Sequence, residues 1–331
     1  MASAAAPDTV LLTGAAGFTG RYVAAALRAR GHRVVGLVHD ADEGAGAPRP
    51  TGGARRAEQP EDGPAFEPQR GDLLDREGLR ALVAAVRPSR VVHLAGLAFV
   101  AHDDVEAIYR TNLIGARNLL EALDATGAPL ESVVLASSAN VYGNSPVDPL
   151  DETVPPAPAN DYGVSKLAME YMARCWMPRL PITIVRPFNY TGVGQSERFL
   201  LPKIVAHFAR GERAIELGNL DVERDFSDVR AVAEIYARLL SRAFAGETFD
   251  LCSGRAYSLR WVLETMQRIA GRSIEVRVNP AFVRANEVRR LRGSGAKLRA
   301  ALGDPPSYPL EETLRWMYAR MREAAGPGAA G

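Results

Sequence analysis

Residues 9–20 read Thr-Val-Leu-Leu-Thr-Gly-Ala-Ala-Gly-Phe-Thr-Gly, an apolar run at 9–12 that feeds a turn with glycines at 14, 17 and 20 and opens a helix at Phe18. Glycines at this spacing let the chain turn sharply and bring its backbone against a pyrophosphate, whose charge then meets N–H groups at the helix N-terminus. Gly14, Gly17, Phe18, Thr19 and Gly20 are therefore the expected contacts of a dinucleotide. Working outward, further apolar runs at 33–38, 90–94, 132–136 and 182–185 alternate with helical stretches near 18–30, 76–86, 105–125 and 162–177, and Gly31 is placed to end the first helix. Nearly continuous apolar strands separated by helices predict an α/β chain with a doubly wound parallel sheet.

The 331 residues suffice for such a sheet and a smaller appended part. Hydrophobic residues at 47% and charged residues at 24% are globular values. Forty Lys and Arg against thirty-nine Asp and Glu leave a net charge of +1, so no global field recruits nucleic acid or an anionic membrane. No run reaches the ~18 apolar residues of a spanning helix, and 1–10 lack a signal-peptide pattern; a cytoplasmic protein is expected. Cys175 and Cys252 fit no ligand pattern and are read as buried free thiols, and the five histidines show no metal spacing. His93 is read as a strand-end hydrogen-bonder. Residues 40–68, rich in Gly, Pro and charge without periodicity, are expected to form a flexible loop, and the interspersed acids argue against Arg49, Arg55 and Arg56 as a nucleic-acid arm. After Pro187 the alternation breaks up, as expected of a substrate-binding part.

An acid at the end of the second strand marks a free ribose, a base a 2′-phosphate. Val38 and His39 end that strand, Asp40 follows, and Arg21 offers positive charge nearby, so NAD and NADP both stay open. Asp72 and Leu73, in Gly71-Asp72-Leu73-Leu74-Asp75, suit an adenine amine, with a helix N-cap as the other reading of Asp72.

Tyr162 and Lys166 stand four apart and share a helix face. An ammonium beside a phenol stabilises phenolate, which is expected to lower the phenol's pKa and make it a usable acid–base group. Ser138 runs off a buried strand, where open α/β sheets bind ligands. Together Ser138, Tyr162, Lys166 and the glycine turn resemble the extended short-chain dehydrogenase/reductase family acting on nucleotide sugars, over nearly the whole chain. His93-Leu94-Ala95-Gly96 is similar to the family's turn beside the cofactor, and Asn112 to Gly115 to its helix segment. The resemblance implies that Tyr162 exchanges a proton with a sugar oxygen, that Lys166 supports it and binds ribose, that Ser138 orients, and that Leu94 and Ala95 border a bound NAD(P).

Ala139 and Asn140 follow Ser138 where family dehydratases carry an acid, so dehydration is not expected. The stretch 186–195, Arg-Pro-Phe-Asn-Tyr-Thr-Gly-Val-Gly-Gln, resembles a signature of GDP-sugar dehydratases and reductases, with Val193 in place of proline; 218–226, Gly-Asn-Leu-Asp-Val-Glu-Arg-Asp-Phe, resembles a second. By that resemblance Asn140, Asn189 and Arg224 contact the sugar nucleotide, Arg224 through its diphosphate. Arg284 and Glu287, in a turn with Ala285 in place of proline, would add contacts. Lys203 would meet the base edge, or else snorkel from its helix.

The resemblance, closest to the GDP-4-keto-6-deoxy-D-mannose reductases of the GDP-mannose dehydratase-like subgroup, implies NADPH- or NADH-dependent reduction of a C4 ketone. A nucleotide-sugar 4-epimerase is the alternative enzyme, and a non-catalytic dinucleotide binder a third reading. A Rossmann part at 7–187 with a returning segment near 226–252, and a nucleotide-sugar part at 188–225 and 253–325, are expected. The helices near 105–125 and 162–177 are candidates for a homodimer face.

Overall fold

The computed structural model describes residues 8–39, 65–97, 104–242, 244–282 and 289–325. Its first half runs β1 (Thr9–Thr13), α1 (Phe18–Arg28), β2 (Arg33–Val38), β3 (Glu67–Arg70), α2 (Arg76–Val86), β4 (Arg90–His93), α3 (Val105–Tyr109), α4 (Ala116–Ala125), β5 (Ser132–Ala136), α5 (Asp161–Arg174) and β6 (Ile182–Pro187). The chain continues through β7 (Asn189–Thr191), α6 (Leu200–Ala209), β8 (Ala214–Leu217), β9 (Glu223–Asp228), α7 (Val229–Leu240), β10 (Thr248–Leu251), β11 (Ala256–Ser258), α8 (Leu259–Ala270), β12 (Glu275–Val278), β13 (Arg290–Leu291), α9 (Ala296–Leu302) and α10 (Leu310–Ala325).

Seven strands form one parallel sheet in the order β10-β6-β5-β4-β1-β2-β3. Alternate residues of β1 serve opposite faces: Val10 and Leu12 pack with Val23, Leu27 and Val232 of α1 and α7, while Leu11 packs with Leu79, Val83, Leu119 and Ala173 of α2, α4 and α5. Each fully buried Val or Leu contributes about 1.5–3 kcal/mol, which explains why positions 10–12 at the centre of β1 are all apolar. This is a Rossmann-like doubly wound sheet, and its strands' C-terminal ends face one cavity.

After β6 the chain leaves the sheet, builds β7, α6, β8, β9 and α7, and returns as β10 on the β6 edge. The smaller part holds β11-β9-β13 with β7 also on β9, and a separate β12-β8 pair. It packs a core of its own from α6, α8 and α10, with Phe208, Val262, Met266, Leu314 and Met317.

Several expectations shift. The helix expected over 105–125 is interrupted at Arg110–Gly115 by a π-helical turn. Wholly buried Asn112 accepts from Leu97 N at 2.8 Å and donates to Ser165 Oγ at 3.0 Å, and the widened turn accommodates that inward carboxamide. Glu67 and Pro68, placed in a loop by composition, belong to edge strand β3, Ala65 and Phe66 precede it as a bend, and 40–64 lies outside the described residues. Both cysteines are free, but Cys175 is exposed just past the end of α5 and Cys252 half-buried, because 175 falls on the outer side of its turn. Among the described residues no helix is long and apolar enough to cross a membrane, and no three His, Cys, Asp or Glu side chains gather as a metal site.

Candidate active site

A cavity of about 1520 Å³ runs from the glycine turn, past the ends of β4, β5 and β6, to the β8 wall of the smaller part. At one end Gly14 takes φ +70°, and a Cβ there would lie 2.8 Å from Ala95 N; at Gly20 an added Cβ would collide with the Gly14 carbonyl. Gly17 caps α1 without any side-chain bond, which leaves the first N–H groups of the helix facing the cavity. A cradle that only glycine permits, at an uncapped helix N-terminus, fits a diphosphate. Phe18, Thr19, Leu94 and Ala95 line it as expected.

Asp72 and Leu73 line the neighbouring stretch. The Asp72 carboxylate accepts from Leu74 N at 2.8 Å and stands 3.7 Å from His39 Nε2. The N-cap reading of Asp72 is overturned: Asp75 caps α2, accepting from Gly78 N at 3.0 Å. Thr13 Oγ1 and His93 Nδ1 are 2.7 Å apart, and burial, with the Lys166 charge, pushes the imidazole down to about 3.

The middle of the cavity holds Ser138, Tyr162 and Lys166. Asn160 caps α5 by accepting from Gly163 N at 2.8 Å, which fixes the start of the helix that carries Tyr162 and Lys166. Ser138 Oγ accepts from both Asn140 N, 3.1 Å, and Asn140 Nδ2, 3.0 Å, so its own proton is left to donate elsewhere. Asn140, expected on the substrate, lines the cavity while orienting Ser138.

The phenol departs from expectation. Burial pushes Tyr162 up to about 12, against the pull of Ser138, and burial pushes Lys166 down to about 8, with Glu170 opposing that fall. The Lys166 ammonium donates to Ala136 O at 3.0 Å. Both charged forms lose more hydration here than their neighbours restore, so Tyr162 stands as a protonated acid.

In the smaller part Asn189 Nδ2 is buried on the cavity wall with no partner among the described residues, as suits a group awaiting a ligand oxygen. Arg224 on β9 donates from Nη1 to Glu223 O at 2.9 Å and to Arg289 O at 3.3 Å. Lys203 donates to Glu216 O at 2.8 Å and lies 4.9 Å from the Phe282 ring centroid. All three border the cavity. Arg284 and Glu287 lie outside the described residues.

Sequence reasoning missed Tyr190 and Tyr236. Tyr190 Oη is 2.8 Å from Thr19 Oγ1 and its ring stacks on Phe18 at 6.2 Å, joining the glycine turn to the smaller part. Its place inside the 186–195 signature was the available signal. Tyr236 sits buried on α7 against the cavity, and an ordinary amphipathic helix offered no signal for it.

The family model described as GDP-mannose 4,6 dehydratase matches residues 11–317. The chain is 34% identical over 233 residues to the GDP-6-deoxy-D-talose 4-dehydrogenase of Aggregatibacter actinomycetemcomitans, covering 70% of this chain and 79% of that one. It is 36% identical over 259 residues to the GDP-6-deoxy-D-mannose reductase of Pseudomonas aeruginosa, covering 75% and 84%. Among solved structures, a provisionally designated epimerase of Burkholderia cenocepacia is 52% identical with a TM-score of 0.85, covering 96% and 99%. RMD from Pseudomonas aeruginosa, complexed with NADPH, is 31% identical with a TM-score of 0.78, covering 96% and 99%.

Proposed function

From a chain that belongs to the GDP-mannose 4,6-dehydratase family of extended short-chain dehydrogenase/reductases, we propose an NAD(P)H-dependent reductase acting on the C4 ketone of a GDP-4-keto-6-deoxyhexose. Its product is a GDP-6-deoxyhexose of rhamnose or talose configuration. The observation that carries the reading is one cavity with a glycine cradle at one end and Ser138, Tyr162 and Lys166 at its middle.

Gly14, Gly17, Phe18, Thr19 and Gly20 would hold the cofactor's diphosphate, Asp72 and Leu73 its adenosine, and Leu94, Ala95 and Lys166 its nicotinamide riboside. The reduced nicotinamide supplies the hydride. Tyr162, protonated at neutral pH, gives its phenolic proton to the C4 oxygen as that oxygen gains charge. Ser138 donates to the same oxygen, its rotor set by the two Asn140 donors. The Lys166 charge supports the phenolate left behind until solvent returns the proton. Asn189 would meet the sugar and Arg224 the diphosphate, with Lys203 toward the base and Arg284 and Glu287 as further contacts. The smaller part, 188–225 with 253–325, is then the nucleotide-sugar part, closing on a Rossmann part at 7–187 and 226–252.

We place the protein in the cytoplasm as a homodimer. Val164 and Tyr171, seven apart on one face of α5, are exposed, as are Val105 and Ile114 beside them, a pattern suited to pairing with a second copy.

The test is to supply GDP-4-keto-6-deoxymannose with NADPH or NADH and follow loss of absorbance at the reduced nicotinamide; no consumption with either cofactor removes the proposal. The 52% identity to a chain designated an epimerase favours a second reading, 4-epimerisation, which turns over without net redox change. Purified protein that carries tightly held NAD and interconverts sugar nucleotides without added cofactor would select it.

A further inference from the structure

Behind the cavity wall runs a buried polar chain that the proposed chemistry leaves unused. Arg186 on β6 grips Glu170 on α5 with two bonds, Nε to Oε1 at 2.9 Å and Nη2 to Oε2 at 2.6 Å, and neither side chain is more than 3% exposed. Ser137 Oγ donates to the same Glu170 Oε1 at 2.5 Å. Arg186 Nη1 donates to Tyr142 Oη at 2.8 Å, and that phenol donates on to Asp250 at 2.9 Å.

Three of its members adjoin the acid–base set in sequence. Ser137 precedes Ser138, Tyr142 closes the Ala139–Tyr142 turn that follows it, and Glu170 lies one helical turn beyond Lys166. A buried ion pair is a weak means of stabilising a core, since apolar side chains of similar volume serve as well. What a bidentate fork supplies and apolar packing does not is direction. Here the fork spans β6 and α5, and the Ser137 bond ties the end of β5 to the same carboxylate.

Resting on the reading of Ser138, Tyr162 and Lys166 as the reacting set, we propose that Glu170 and Arg186 are positioning residues: they pin the strand end carrying Ser138 to the helix carrying Tyr162 and Lys166, with Glu170 as the buried counter-charge of the ammonium. Among the described residues the groups around that ammonium are few. Tyr162 and Glu170 share its helix, His93 at the end of β4 is neutral, Asn112 comes from the π turn, and Ala136 O comes from the end of β5. Arg186, Tyr142 and Asp250 stand behind Glu170. Glu170 is the anion among them that acts directly on Lys166.

The test compares the intact wild-type chain with Glu170→Gln and Ser137→Ala. Acylation of Lys166 by acetic anhydride, followed against pH by peptide mass mapping, reads the amine without requiring turnover. The wild-type midpoint is expected near 8 and that of Glu170→Gln about one unit lower; an unmoved midpoint overturns the counter-charge role. Ser137→Ala keeps the ion pair and cuts only the tie to the strand end. It is expected to lower kcat about tenfold with KM for cofactor and sugar within about twofold, as loss of alignment in the transition state does; an unchanged kcat overturns the pinning role. Should Glu170→Gln fail to fold, Ser137→Ala decides. Loss of thermal stability alone, with midpoint and kcat unmoved, would make the pair structural and overturn the inference. If the wild type turns over no 4-keto sugar, the reaction assignment fails, while the acylation midpoints still decide the counter-charge.

Discussion

The middle of the cavity and its β8 end treat charge in opposite ways. Lys166, 5% exposed, and Tyr162 are both pushed toward their neutral forms by burial, and the polar atoms behind them are closely paired. At the β8 end, proposed to take the nucleotide, Lys203 and Arg224 are half-buried at most and donate to main-chain carbonyls of their own surroundings. Charges near water are screened, whereas in the dry middle small displacements become large changes in proton affinity. On the proposed reading the dry middle carries the chemistry and the wetter end the binding.

The largest effect that would sharpen this contrast is Tyr162→Phe. It removes the proton and leaves the ring, so kcat should fall about 10²- to 10⁴-fold while the dissociation constant of NADPH, measured by fluorescence titration, stays within about twofold. A variant of near wild-type kcat would leave the dry middle without its assigned acid. Arg224→Ala should do the reverse, raising KM for the GDP-sugar about 10- to 100-fold, the equivalent of one charge-assisted contact, with little change in kcat. A kcat loss at unchanged KM would break the division between the two regions.

pH supplies a smaller test. Lys166 loses its charge as pH rises through about 8, whereas Tyr162, at about 12, keeps its proton across the range. The kcat for reduction should be level below pH ~8 and fall at most about tenfold per unit above it; a rising basic limb would mean that phenolate, not phenol, is the working form. The smallest effect concerns Asp250. Burial, with Glu152 nearby, raises its pKa from 3.8 to about 8, so its contribution to stability is complete below the unfolded value and is lost as pH rises through 8. Asp250→Asn still accepts from Tyr142 but no longer titrates. Its thermal midpoint should therefore decline by a few degrees less than wild type between pH 5 and 9, as differential scanning fluorimetry would record.

What could be read from the chain alone follows from range. The glycine turn was legible because strand, turn and helix are neighbours within twelve residues, and each glycine answers a local steric demand. β3 was not, since Glu-Pro-Gln-Arg is exposed at every position and shows no alternation. It is held by pairing with β2, where Arg33 grips Glu67 at 3.0 and 2.6 Å. The π turn was hidden because the partners of Asn112 lie 15 and 53 residues away. The spacing of Tyr162 and Lys166 placed both on one helix face, but the direction of the phenol's shift depends on burial, which spacing does not carry. Asp72 and Asp75 differ by three residues and look alike in sequence; only the backbone decides which one caps α2.

The late return of β10 to the β6 edge has a consequence for synthesis. Every residue of β6 is buried in the finished molecule, yet the strand that covers its outer edge is made some sixty residues later. Until Leu251 has emerged, a nascent chain presents Ile-Thr-Ile-Val as an unpaired ribbon of hydrogen-bonding groups, the kind of surface that recruits other chains. Premature termination anywhere between 188 and 247 should therefore yield insoluble product rather than a free-standing cofactor-binding fragment.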